Sequence, residues 1–92
     1  MDREEALAKI EEHRREIDSI DKRLVALLNE RERHSMDIRH LKPAANMPLF
    51  DPAREDAIFD KIRAYNEGPL VDDKLCEIYA TLLKVMKENP ES

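Results

Sequence analysis

Three cations fall where a helix of this sequence should present apolar side chains. On a heptad frame, one column reads Ile10, Ile17, Leu24, Arg31, Ile38, and its neighbour reads Leu7, Arg14, Asp21, Leu28, Ser35, Lys42. Arg31 therefore takes a place suited to Leu or Ile, and Arg14 and Lys42 lie on or beside the same face. Such side chains can snorkel to water along their aliphatic stems or pair with acids across an interface. They can also line an internal anion site, because a buried cation needs a counter-charge and a carboxylate ligand supplies one. A guanidinium grips a carboxylate bidentately, and an ammonium acts as a point charge. The helix alone leaves both readings open.

The spacing constrains the second reading. Arg31 and Lys42 return to nearly the same face, roughly 16 Å apart along a helix axis, and long side chains could converge on one small molecule. Arg14 lies about 25 Å from Arg31 on the same rod, too far to share that pocket within its own chain. In an antiparallel pair of such helices, Arg14 of one chain approaches Arg31 of the other, and the twofold symmetry makes two equivalent sites. A second motif, Asp51-Pro52-Ala53-Arg54-Glu55, reads most simply as a capped helix start. Asp51, Arg54 and Glu55 nonetheless share a face at i, i+3 and i+4 spacing, where they could present an acceptor and a cation together.

The elements that carry these residues follow from periodicity and punctuation. From about Asp2 to Lys42 there is no Gly or Pro, and Leu7, Ile10, Ile17, Ile20, Leu24, Leu27, Leu28, Ile38 and Leu41 recur at helical spacing. This predicts one amphipathic helix roughly 60 Å long. A compact domain of this size has a radius of gyration of only about 12 Å, so the helix needs a partner for its apolar stripe, and a second copy of the chain is the simplest one. Pro43 disfavours helix at Lys42, making residues 42–50 a linker. Asp51 suits an N-cap and Pro52 the first helical position of a second helix. Its apolar face is Ile58, Phe59, Ile62 and Tyr65, and Gly68-Pro69 stops it. A third helix starts near Asp72, with a stripe of Leu75, Cys76, Tyr79, Leu82, Leu83 and Met86, and Asn89-Pro90 ends it. The expected fold is all-α: a single domain over residues 1–92, one long and two shorter helices per chain, in an intertwined homodimer.

Composition narrows the function. Ninety-two residues, 40% of them charged and 4% aromatic, suit helices with wet outer faces and favour oligomerisation, since a short chain buries little of its own surface. A net charge of −5 argues against nucleic acid, which needs a basic face, but not against a small anion held by local charge. No stretch is long enough to span a membrane, the amino-terminal residues lack a secretory pattern, and a single Cys76 suits a reducing, cytoplasmic setting.

The run Arg14-Arg15-Glu16-Ile17-Asp18-Ser19-Ile20-Asp21, then Leu24, Leu27-Leu28, Arg31, Lys42, Pro48 and Asp51-Pro52-Ala53-Arg54-Glu55, resembles AroQ-type chorismate mutases, with spacing from Arg14 to Glu55 that fits without a gap. The resemblance implies an interlocked dimer of three-helix chains. It also implies the Claisen rearrangement of chorismate to prephenate, a unimolecular reaction of aromatic amino-acid biosynthesis that uses no metal or cofactor. By resemblance, Arg14 from the partner chain and Arg31 hold the carboxylates of this dicarboxylate substrate. Lys42 serves the ether oxygen and a carboxylate, Glu55 accepts from the ring hydroxyl with help from Asp51, and Arg54 orders that corner.

The chain departs from the family in its last helix. The small hydroxyl residue and the Gln or Glu four positions on align with Met86 and Pro90, neither of which can donate to the ether oxygen. Glu88 or Asn89 are the candidates to replace them; otherwise the chain is weak alone or is completed by an activating partner protein. Two alternatives follow: an isochorismate–pyruvate lyase-like enzyme, which the Asp51–Glu55 motif disfavours, and a non-catalytic helical dimer acting as a binding or regulatory module. His13 and His34 are read as packing or surface residues rather than metal ligands, since 21 residues separate them. Cys76 is read as core.

Overall fold

The computed structural model describes residues 1–89. Helix α1 spans Arg3–Leu41 without interruption. Asp2 caps it, its Oδ1 accepting from the Glu5 amide at 2.8 Å. Glu4 and Glu5 in the first turn and Arg39 and His40 in the last complement the helix dipole. At the far end the Lys42 amide still donates to the Ile38 carbonyl at 2.9 Å, but Pro43 has no N–H to continue the ladder. A tight turn follows. The Ala45 amide reaches the Leu41 and Lys42 carbonyls, the Met47 amide donates to the Lys42 carbonyl at 3.0 Å, and Asn46 takes a left-handed conformation at φ 56°.

Helix α2 spans Pro52–Tyr65. Its start is as the sequence implies: Asp51 is the N-cap and accepts from the Arg54 amide, and Pro52 stands in the first turn. It ends where Asn66 turns extended while its amide still bonds the Ile62 carbonyl. Asn66 then organises the connection. Its Nδ2 donates to the Leu70 carbonyl at 2.8 Å and to Asp72 Oδ1 at 2.7 Å, and its Oδ1 accepts from the Gly68 amide at 3.1 Å. Gly68 lies at φ 76° before a cis bond to Pro69, a conformation that favours a residue without Cβ. Helix α3 spans Asp72–Lys87, with Val71 as an N-cap that makes no side-chain bond and Glu88 as C-cap.

Contacts divide the chain into two units, Met1–His34 and the residues from Ser35 onward. In the second unit α2 packs on α3, and Ile62 and Met86, at 6% and 8% exposure, are its buried centre. Ile58, Phe59, Leu75, Cys76, Tyr79, Leu82 and Leu83 of the same two helices are half-buried. Tyr65, expected on the inner face of α2, is 74% exposed. It is the last helical residue, and the chain leaves the helix beside it.

The first unit is helix alone, and α1 buries no residue. Ile10, Ile17, Ile20, Leu24 and Leu27 are 45%, 53%, 48%, 50% and 59% exposed. Full burial of one such side chain is worth about 1.5–3 kcal/mol, so much of this segment's hydrophobic driving force is unrealised within one chain. Among the described residues, no helix is long and apolar enough to cross a membrane.

Candidate active site

The turn after α1 and the start of α2 create one corner of the second unit. Lys42 is half-buried, and its Nζ donates to the Leu49 carbonyl at 2.8 Å. The ammonium of the residue that closes α1 therefore lies against the segment that leads into α2. One of its three donors is used there, which leaves capacity for an anionic ligand. Asp51 follows two residues after Leu49, with Oδ1 3.1 Å from the Arg54 amide. Capping of this kind stabilises by about 1 kcal/mol and fixes the first turn that displays Arg54 and Glu55. Arg54 is exposed and Glu55 half-buried.

Glu55 is held by a residue that sequence reasoning passed over. Lys87, at the end of α3, places Nζ 2.6 Å from Glu55 Oε1. The same Nζ lies 5.0 Å from the centroid of the Phe50 ring, within cation–π range. Lysine in a last helical turn reads as an ordinary complement to the dipole, which hid this one. The available signal was its position directly after Met86, on the rim of the α3 stripe. The corner thus gathers the ammonium groups of Lys42 and Lys87, the carboxylates of Asp51 and Glu55 and the guanidinium-bearing Arg54 onto residues 49–55 and their neighbours. That set can hold a small anion and accept a hydrogen bond from a hydroxyl on it.

The other expected residues are distributed as follows. Arg14 belongs to the first unit, and its Nη1 pairs with Glu11 Oε1 at 2.9 Å, with the two side chains 69% and 57% exposed. An exposed i, i+3 pair of this kind contributes about 0–1 kcal/mol. Arg31, also in the first unit, is half-buried. Glu88 is exposed, and its amide caps α3 by bonding the Lys84 and Val85 carbonyls at 3.1 and 3.2 Å. Met86 is core, and Pro90 lies outside the described residues. His13 and His34 are exposed and Cys76 is half-buried.

Residues 13–90 match the family described as chorismate mutase type II. The chain is 36% identical over 81 residues to a bifunctional chorismate mutase/prephenate dehydratase of Aquifex aeolicus, covering 84% of this chain and 22% of that protein. It is 33% identical over 69 residues to a chorismate mutase of Methanocaldococcus jannaschii, covering 75% of this chain and 70% of that one. A solved chorismate mutase structure from Thermus thermophilus (Form II) superposes with a TM-score of 0.84 at 28% identity, over 90% of this chain and 94% of that chain. The chain thus spans about a fifth of the Aquifex protein and most of the two shorter relatives.

Proposed function

The chain belongs to the chorismate mutase type II family, and from that membership we propose that it rearranges chorismate to prephenate as a homodimer with two shared sites. The observation that carries the reading is the placement of Lys42 and Glu55 at the two ends of one short segment: an ammonium against the Leu49 carbonyl and a carboxylate in the first turn of α2. The substrate offers two carboxylates, an ether oxygen and a ring hydroxyl, which these groups complement. A unimolecular rearrangement requires that the reactive conformer be held and that charge developing on the breaking ether oxygen be met by a fixed donor. Lys42 is that donor and also binds a carboxylate. Glu55 accepts from the ring hydroxyl, Asp51 and Arg54 set the turn that presents it, and Arg31 binds a carboxylate.

The homodimer follows from the exposed face of the first unit. Ile10, Ile17, Ile20, Leu24 and Leu27 are too apolar and too regularly spaced to remain in water, and a second copy covers them by twofold symmetry. In that assembly each chain is one domain, and each pocket takes Arg14 from the partner subunit. A cytoplasmic location is part of the same reading, supported by the single cysteine. Purified protein incubated with chorismate should consume it and yield prephenate well above the uncatalysed rate. Absence of turnover overturns the reading, and release of pyruvate from isochorismate would favour the lyase instead.

A further inference from the structure

We propose that Lys87 is a positioning residue for Glu55, holding one carboxylate oxygen so that the other meets the substrate's ring hydroxyl; this rests on the reading of Glu55 given above. Two independent contacts fix the Lys87 ammonium: Glu55 Oε1 at 2.6 Å and the Phe50 ring at 5.0 Å. Both partners belong to the short stretch that enters α2, so one side chain from the end of α3 spans the entry to the site. Its backbone is anchored by its neighbour Met86, which is 8% exposed in the core. The Lys87 and Glu55 side chains are 48% and 28% exposed, and a pair so open to water contributes little to folding. Its effect is on direction: a glutamate carries three side-chain torsions, and an ion pair at one oxygen selects among them. A carboxylate accepts through both oxygens, so Oε2 remains for the hydroxyl.

The hydroxyl is present in substrate and transition state alike. An acceptor aimed at it strengthens binding of both, and its loss raises KM rather than lowering kcat. The test compares the full chain with Lys87→Met, Lys87→Gln, Lys87→Arg, Glu55→Gln and the double variant Glu55→Gln/Lys87→Met, using chorismate. Lys87→Met and Lys87→Gln should each raise KM about tenfold, with kcat within about threefold and helix content unchanged. Lys87→Arg, which keeps the charge and the reach, should recover most of the loss. The double variant should be no worse than Glu55→Gln, because Lys87 acts only through that carboxylate. Wild-type KM in Lys87→Met and Lys87→Gln, or additive losses in the double variant, would overturn the proposal. A fall in kcat alone would also overturn it, marking Lys87 as a direct donor to the reacting atoms. Wild-type protein inert toward chorismate is a separate result: it removes the functional reading and this proposal with it.

Discussion

Lys42 donates from its ammonium to the Leu49 carbonyl across 2.8 Å, so the residue that ends α1 also pins the segment that begins α2. A single cation therefore links the turn geometry to the site. The turn itself, with the Met47 amide on the Lys42 carbonyl, brings the chain back far enough for that bond to form.

Lys42→Ala and Arg31→Ala should each lower kcat/KM by on the order of 100-fold or more while far-ultraviolet circular dichroism shows the same helix content. For Lys42, losing a preorganised donor at a developing oxyanion has that magnitude; for Arg31 the loss is a charge-assisted grip on a substrate carboxylate; and neither residue belongs to the buried centre formed by Ile62 and Met86. Near wild-type turnover in both variants would place the chemistry elsewhere.

Asp51 separates stability from binding. Asp51→Ala removes the acceptor of the Arg54 amide and should cost about 1 kcal/mol, a fall in Tm of about 4–8 °C for a domain of this size. Asp51→Asn keeps a capping oxygen and should melt close to wild type. Equal Tm values in wild type and Asp51→Ala, measured at one protein concentration, would show that the cap is not holding this turn.

The sequence revealed elements better than junctions. The three helices and the Asp51-Pro52 start were legible because periodicity, capping and proline geometry are local, and α1 and α3 end within a residue or two of Pro43 and Asn89-Pro90. Lys42, Asp51, Arg54 and Glu55 stand out in the sequence because their types and spacing conflict with, or punctuate, an amphipathic pattern, and their proposed roles rest on the family resemblance. Lys87 does not, because its meaning depends on α3 packing against α2, which brings residues 55 and 87 together. Tyr65 was misread for a related reason. It keeps the period of Ile58 and Ile62, but Asn66 leaves the helix immediately after it, and within one chain its side chain is not covered by α3.

The apolar face of the first unit should be a dimer contact. Ile17→Asp puts a charge at the middle of a face that is 53% exposed at that residue in one chain. Burying an unpaired carboxylate is costly, so at a concentration where wild type is dimeric the variant should sediment as a smaller species, and its Tm should no longer rise with protein concentration. A wild-type chain that sediments as a compact, fully helical monomer of 10.8 kDa at micromolar concentration would refute the dimer.

The shared site makes the sharpest demand on the assembly. Arg14 is about 25 Å from Arg31 along a continuous helix, so the proposed pocket takes Arg31 and Lys42 from one chain and Arg14 from the partner subunit. Arg14→Ala and Arg31→Ala chains, each nearly inactive alone, should then complement when mixed. A heterodimer holds one pocket with both lesions and one with neither. Random pairing makes half of the dimers hetero, so roughly a quarter of all sites should recover, as the twofold operator requires. Cations that only snorkel, or only pair as Arg14 does with Glu11, allow no such rescue. Interlocked chains exchange only on unfolding, so the mixture is denatured and refolded together, and heterodimer formation is read from a mass tag on one variant. Confirmed heterodimers with activity no higher than that of either parent would rule out the cross-chain pocket.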